Sequence, residues 1–492
     1  MVKLKNIFLH LSAIALLIGF IFASRFQLIT QTFEFDYDEG LNVIKALLYS
    51  QNFALYSQIW NDQPPLFTIV LSKYFDLFGQ SIFAARLLVL LFSALLVWSF
   101  FQTIRILLGT IPAAVAAFLL VTSWQFTRLS TSVMIGIPSL SLAMLSIYLL
   151  TLYKPQPRRL LLLLSGVVMG VSLQTKLFTA FLVPLMAVYL LDFKVVLLQV
   201  KEKWVSLKQS IVLWLSILFL TYGLIGLLSQ QLSGYEQTLQ SHFKQSTNQD
   251  LFTFLLNGVQ AIFYLTKQDL DYLFVALIGS FMVFLKKQWD GFFPLAWLGT
   301  TLLILLIHKP VWYHHYLLLA IPVCWLSAYA VSFALSAVSE GWHRNLSPLS
   351  YRKSILSGLA VAILVGLIVA TPANPLIEEP TPENQEITQR ILKYKDFTQW
   401  IFVDRPMYAF RAGLRVPPEI AVLSYKRFNA GNITSKKMLD VLEKYRPQQI
   451  VFARWASKIK SDSSLSAYID ENYSKTYANK KGTEEHYLLK TS

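Results

Sequence analysis

Phe35-Asp36-Tyr37-Asp38-Glu39-Gly40 packs three acids into four residues, directly after an apolar run at 7–25. A second unusual segment, Asn61-Asp62-Gln63-Pro64-Pro65-Leu66, answers it downstream. Around these stretches charge is scarce. The chain has 492 residues, 55% hydrophobic and 14% charged, with mean hydropathy +0.49. A soluble domain carries roughly one quarter charged residues, so this composition implies an integral membrane protein. Acids clustered at the edge of an apolar run therefore call for a chemical explanation.

The run at 7–25 lacks a small-residue cleavage site and is followed by Arg25-Phe26-Gln27, which predicts a retained signal anchor. Further spans of suitable length are predicted at 82–102, 111–127, 137–153, 160–175, 177–191, 210–229, 271–285, 291–307, 314–335 and 354–371. This makes a polytopic α-helical membrane protein of about eleven transmembrane helices. The formal charge of +15 follows its topology. Lys154, Arg158, Arg159, Lys194, Lys201, Lys203, Lys286, Lys287, Arg352 and Lys353 crowd one set of short loops, which the positive-inside rule places in the cytoplasm. The basic balance is thus no footprint for nucleic acid. With an odd number of spans, the acidic loop at 26–81 and the tail beyond Thr371 face outward. The lone Cys324 excludes an intrachain disulfide and a thiolate metal cluster.

Within the outward loop 26–81, residues 41–56 and 66–78 carry apolar side chains at helical spacing, which predicts interfacial helices lying on the bilayer. Pro64-Pro65 breaks the chain between them. A second outward loop covers 230–270. Residues 1–371 then form the transmembrane domain, 372–383 a Pro- and Glu-rich linker, and 384–492 a small extracytoplasmic α/β domain. In that domain strands are predicted at 400–403, 420–423, 449–453 and 486–489, and helices at 386–395, 434–446 and 463–473.

Asp36, Asp38 and Glu39 could be ordinary acids of a solvated loop. Their framing by Phe33, Phe35 and Tyr37 argues for docking against the membrane domain, where a carboxylate is costly and tends to be functional. A carboxylate so placed can take the proton of a hydroxyl nucleophile.

The Asp38-Glu39 pair, the Pro64-Pro65-Leu66 segment, Leu77-Phe78-Gly79-Gln80-Ser81 and Ala85-Arg86-Leu87-Leu88 together resemble the GT-C membrane glycosyltransferases. The resemblance is to the bacterial branch related to protein O-mannosyltransferases and the lipid A aminoarabinose transferase. Gly170 to Lys176 and His308 to Pro322 extend it. It implies that Asp38 is the catalytic base and that Glu39 orients it. It further implies a sugar donor carried on polyprenyl phosphate, whose hexosyl or pentosyl group moves to a hydroxyl of a glycan, lipid or protein. Such chemistry would run on the outer face of a bacterial plasma membrane.

The departing lipid phosphate would need cations or donors, for which Arg128, Lys176, Lys309, His314 and His315 are the outward candidates. Lys309 could equally snorkel to headgroups, and one of the two histidines is expected only to pack. Trp312, Tyr313 and Tyr316 read as an interfacial belt, with Tyr316 kept among the substrate-binding candidates. No metal is needed in this branch, although a divalent ion on Asp36, Asp38 or Asp62 stays open.

Two departures stand out. Gln63, flanked by Asp62, precedes the Pro-Pro pair where relatives often carry Lys or His, and Gly136 stands where an acid is expected. The rival readings are a lipid-sugar transporter or flippase, and a non-catalytic lipid-sugar-binding relative. A transporter should carry ionisable residues within several spans, and these spans are almost free of them.

Overall fold

The computed structural model describes residues 29–191, 201–229, 251–307, 311–343 and 382–490, together with positions 19, 26, 234, 237 and 238. The expected span at 7–25 apart from position 19, the span at 354–371, residue Lys309, residues 230–233, 235–236 and 239–250 of the second outward loop, and linker residues 372–381 lie outside these residues.

In the described part of the first 343 residues the chain is helical: α1 (Tyr37–Ser50), α2 (Leu66–Phe78), α3 (Ile82–Leu108), α4 (Thr110–Thr122), α5 (Trp124–Leu129), α6 (Gly136–Tyr153), α7 (Arg159–Thr175), α8 (Leu182–Leu190), α9 (Lys201–Leu228), α10 (Leu251–Thr266), α11 (Leu270–Leu285), α12 (Phe292–Ile307) and α13 (Tyr316–His343). Of the nine expected spans that fall on described residues, seven coincide with one of these helices, while 111–127 is split between α4 and α5 at Ser123 and 177–191 opens with a 3-10 turn at Leu177–Phe181 before α8. Among the described residues, five helical stretches are long and apolar enough to cross a membrane unaided: Ile82–Leu108, Gly136–Tyr153, Val205–Leu228, Trp289–Ile307 and Tyr313–Ala337. A sixth would be α10 and α11 together, bent by 103° at Lys267–Asp269. The helices α4, α7 and the turn-plus-helix Leu177–Leu190 are apolar but shorter. Leu220, Leu224, Leu277, Phe281 and Leu303 remain exposed, as expected where lipid rather than water is the solvent. The bundle centres on α13, which packs on α11, α12 and α4, and on the neighbouring set α3, α6, α7 and α9.

Residues 382–490 fold as a smaller unit: α14 (Pro382–Lys393), β1 (Ile401–Val403), α15 (Met407–Ala412), α16 (Tyr425–Asn429), α17 (Ser435–Tyr445), β2 (Gln449–Phe452), α18 (Ala456–Lys460), α19 (Ser463–Asn472), β3 (Tyr473–Ala478) and β4 (Glu485–Leu489). Its sheet runs β1-β2-β4-β3, parallel between β1 and β2 and antiparallel elsewhere. Thr434 caps α17 through its hydroxyl, which accepts from the Lys437 amide, as its position before an amphipathic run predicts.

Two strand assignments change. Residues 420–423 are not a strand, because their backbone is spoken for elsewhere: Val422 O accepts from Arg427 and Leu423 O accepts from the Tyr37 hydroxyl. The β1 edge is instead closed by Arg415, whose carbonyl accepts from the Ile401 amide. The strand β3 was not anticipated, since its Lys- and Ser-containing run pairs only along one edge, with β4.

The two parts meet over α1. Although its spacing suggested a helix lying on a bilayer, most of α1 is buried between the bundle and α15. Gly40 makes that contact possible, for a β-carbon there would lie 2.5 Å from Glu34 Oε1 and 3.0 Å from the Met407 amide nitrogen. Arg405 and Arg411, flanking or within α15, reach back to the segment before α1, the first by an ion pair to Glu34 at 2.5 Å and the second by bonds to the Thr32 and Phe33 carbonyls. Gly40→Ala should therefore push α15 off α1 and cost roughly 1–3 kcal/mol. The measurement is thermal unfolding of the purified protein; an unchanged midpoint would show that the contact yields freely.

Candidate functional site

The site grows from the first turn of α1. Asp36 is its N-cap, and its carboxylate accepts from the Asp38 amide at 2.9 Å. Glu39 turns inward and is fully buried. Its Oε1 accepts from Arg86 Nε and from the Val133 amide, each at 3.0 Å. Its Oε2 accepts from Arg86 Nη2 at 2.8 Å and from the Phe35 amide at 2.9 Å. Arg86, on the second turn of α3, spends its remaining nitrogen on the Ile29 and Thr32 carbonyls. Every strong acceptor direction of Glu39 is thus filled, so this residue holds the loop instead of meeting a ligand.

Adjacent helical residues point about 100° apart, so with Glu39 locked inward Asp38 is turned to another side of α1. It is half-buried, and among the described residues no hydrogen bond reaches its carboxylate. Burial, reinforced by Asp36 and Asp62, pushes the Asp38 carboxyl up to about 6, against the opposing pull of Lys176 and Lys45. Lys45, two turns further along α1, is buried and donates to Asn61 Oδ1 at 3.1 Å. Asn61 in turn donates to Gln63 O at 2.8 Å, which holds the Asp62 segment against α1. Asp62 meets Lys426 of the C-terminal unit at 3.5 Å.

Lys176 stands where α7 ends, its ammonium 4.7 Å from the Phe178 ring. Burial lowers it to about 8, with Lys426 pushing the same way while Asp38 and Asp62 oppose. Asp38, Asp62, Lys45, Lys176 and Lys426 therefore share one electrostatic neighbourhood. Arg128 reaches the segment that precedes α1. The break at Ser123 lets the short α5 turn, so that Arg128 donates to the Phe35 carbonyl and lies 4.1 Å over the Tyr313 ring.

The remaining candidates separate. His315 is buried, and its Nδ1 accepts from the Trp312 amide at 3.1 Å in the turn that starts α13. His314 lies edge-on to it, with ring centres 4.6 Å apart. Tyr316, kept among the substrate-binding candidates, is buried, with its hydroxyl given to Asp269 at the bend between α10 and α11 and its ring edge-on to Trp124. It braces the bend. Gly136 opens α6, and a β-carbon there would meet only Phe178, at 3.9 Å. Packing leaves room for a side chain at 136, so the acid expected there is missing for a reason other than space. Among the described residues no three His, Cys, Asp or Glu side chains converge on a metal-sized point.

Sequence reasoning passed over Arg86 as a site residue, quoting it only within a motif. An Arg in the second turn of a 27-residue apolar helix, far from Arg105 in its last turn, is itself the signal, because a buried charge must be paired. Lys45 was hidden by its place on an amphipathic run, and Tyr313 by its resemblance to belt aromatics.

A family model described as dolichyl-phosphate-mannose-protein mannosyltransferase matches residues 62–222. No curated protein sequence matches the chain significantly. Among solved structures, ArnT from Cupriavidus metallidurans in complex with undecaprenyl phosphate aligns with a TM-score of 0.60 at 11% identity, covering 99% of this chain and 98% of that one. Its apo form aligns equally well at 14% identity. The apo oligosaccharyltransferase of Archaeoglobus fulgidus aligns with a TM-score of 0.56 at 13% identity, over 98% of this chain and 74% of that one.

Arg86→Met should leave the Glu39 carboxylate buried and unpaired, at a cost of about 3–5 kcal/mol. Thermal melts of Arg86→Met, Glu39→Gln and the double variant test this; the double variant should recover part of the loss, and three additive, small shifts would refute the lock. From end to end, the chain shares the multi-pass membrane fold of ArnT.

Proposed function

We propose that the protein is a glycosyltransferase that moves a sugar from a polyprenyl-phosphate donor to an acceptor hydroxyl, with Asp38 as general base. The observation that carries this reading is the carboxylate of Asp38: half-buried, unclaimed by any hydrogen bond among the described residues, and held at the edge of a cationic group. In the reaction the acceptor oxygen bonds to the anomeric carbon as the bond from that carbon to the phosphate oxygen breaks. The acceptor proton passes to Asp38, and the bonding pair leaves with the polyprenyl phosphate. A single displacement inverts the anomeric configuration, through a transition state of oxocarbenium character.

Arg128 beside Phe35 and Tyr313, and Lys176 in the electrostatic neighbourhood of Asp38, are the cations suited to the phosphate leaving group. ArnT was crystallised with undecaprenyl phosphate and the archaeal oligosaccharyltransferase AglB with a dolichol phosphate, which supports a lipid phosphate as the carrier. The acceptor is a glycan, lipid or protein hydroxyl, and the transferred group a hexose or pentose. We place the reaction on the outer face of a bacterial plasma membrane, with the C-terminal unit outside, because Lys and Arg crowd the opposite loops. No metal is assigned a role.

The test is transfer by purified protein from a panel of radiolabelled polyprenyl-phosphate sugars. Asp38→Asn should lower the rate by at least ~100-fold, the scale of a lost general base, with little change in donor KM. Full activity in Asp38→Asn would remove it as the base. Asp38 works deprotonated and Lys176 protonated, so activity should rise as pH passes about 6 and fall as it passes about 8. Lys176→Met should abolish the alkaline limb and, by removing a cation that favours the carboxylate, move the acid limb upward. A profile with unchanged limbs would detach Lys176 from the site. Excess EDTA should leave the rate unaltered, and a loss restored by a divalent ion would assign the acids to a metal.

A further inference from the structure

The C-terminal unit carries a cation-and-aromatic array that begins at the site and that the reaction outlined above does not use. Tyr37 lies between Asp36 and Asp38, and the Arg454 guanidinium sits 3.7 Å from the centre of its ring. The same guanidinium is 5.3 Å from the Trp455 ring. Tyr425 and Phe428 of α16 lean on Trp455 with ring centres 5.6 and 5.1 Å away. Lys458 closes the array, its ammonium 4.6 Å from the Phe428 ring and 5.2 Å from Tyr425. The series Tyr37, Arg454, Trp455, Phe428, Tyr425 and Lys458 is thus continuous, and one end adjoins Asp38.

Three features set it apart from a plain domain contact. Arg454 and Lys458 are exposed, and among the described residues neither is within ion-pair distance of a carboxylate. Two acids of the C-terminal unit are already committed. Asp404 is buried under the backbone amides of Ala453, Arg454 and Trp455, which it accepts, and Glu419 is bonded to Lys444 and Tyr445. Tyr425 is 65% exposed, an unusual place for an aromatic with no packing duty on its outer face. Flat aromatic faces bind the apolar faces of sugar rings, and unpaired cations beside them bind carboxylate or phosphate substituents. A membrane-inserting patch would need protruding apolar side chains, whereas here Trp455 is buried and only Tyr425 stands out.

We infer that this array is a binding site for an anionic saccharide, the acceptor's sugar portion, leading its hydroxyl toward Asp38. The role as acceptor site rests on the proposed transferase activity; the binding itself does not. Asp404 acts here as a positioning residue, since its three backbone bonds hold Arg454 over Tyr37.

The experiment is fluorescence anisotropy with the full-length protein in detergent, using fluorescein-labelled oligogalacturonate as an anionic probe and maltoheptaose as a neutral one. Wild type should bind oligogalacturonate at least ~10-fold more tightly than maltoheptaose, a difference of about 1.4 kcal/mol. The variant Arg454→Gln/Lys458→Gln should erase that preference, and Arg454→Lys/Lys458→Arg should keep most of it. Tyr425→Ala should weaken both probes by several-fold. Lys480→Gln/Lys481→Gln, neutralising exposed charges in the turn between β3 and β4, is the control for net charge and should change nothing. The inference falls if that control loses as much as the array variant, or if the array variant binds like wild type. It also falls if the variant keeps its saccharide preference but loses cosedimentation with phosphatidylglycerol vesicles, which would make the array a membrane contact. Asp38→Asn should bind the probes normally, so failure of transfer and failure of this site are read separately.

Discussion

The pairing of Glu39 with Arg86 is the constraint on which the site depends. Two charges removed from water incur a large desolvation cost, and only a bidentate geometry with every remaining donor and acceptor filled offsets it. The structure meets that condition with the Phe35 and Val133 amides and the Ile29 and Thr32 carbonyls. The pair therefore ties together the segment before α1, the first turn of α1, the second turn of α3 and the connection before α6. Once Glu39 is held inside, its neighbour Asp38 must face another way, toward Lys45, Lys176 and Asp62. A structural ion pair thereby aims the Asp38 carboxylate, which it does not touch.

A second consequence is that the site has walls from both parts of the molecule. Lys426 meets Asp62, Arg405 meets Glu34, and the Tyr37 hydroxyl donates to the Leu423 carbonyl at 2.6 Å. Arg427, lowered to about 10 mainly by burial, lies over Trp60 while bonding carbonyls of its own unit. These contacts are polar and directional, so the C-terminal unit is registered on α1 and not merely laid against it. They also explain why α1 is amphipathic in sequence yet enclosed in structure: its polar face is covered by charged and aromatic side chains instead of lipid headgroups.

Much of this was legible in the chain itself. Long apolar runs separated by basic loops determine a multi-pass helical protein, since only helices satisfy their own backbone in lipid. The break at Pro64-Pro65, the cap at Thr434 and the outlying chemistry of Asp36, Asp38 and Glu39 are all local signals, and each corresponds to a feature of the structure. The residues 420–423 show the limit of such signals. An apolar, β-branched run predicts a strand, but whether it joins a sheet depends on which distant side chains claim its carbonyls.

What the sequence determined by itself was therefore the class of fold, the element types and the acids worth attention, because composition, periodicity and capping act over a few residues. Which acid is buried and which is presented was decided only by the tertiary structure. Asp38 and Glu39 are adjacent and chemically alike; they differ because Arg86, forty-seven residues from Glu39, stands beside one of them. The same holds for Lys45, Lys426 and Arg454, ordinary basic residues in the sequence whose meaning comes from the carboxylates and rings that folding places against them.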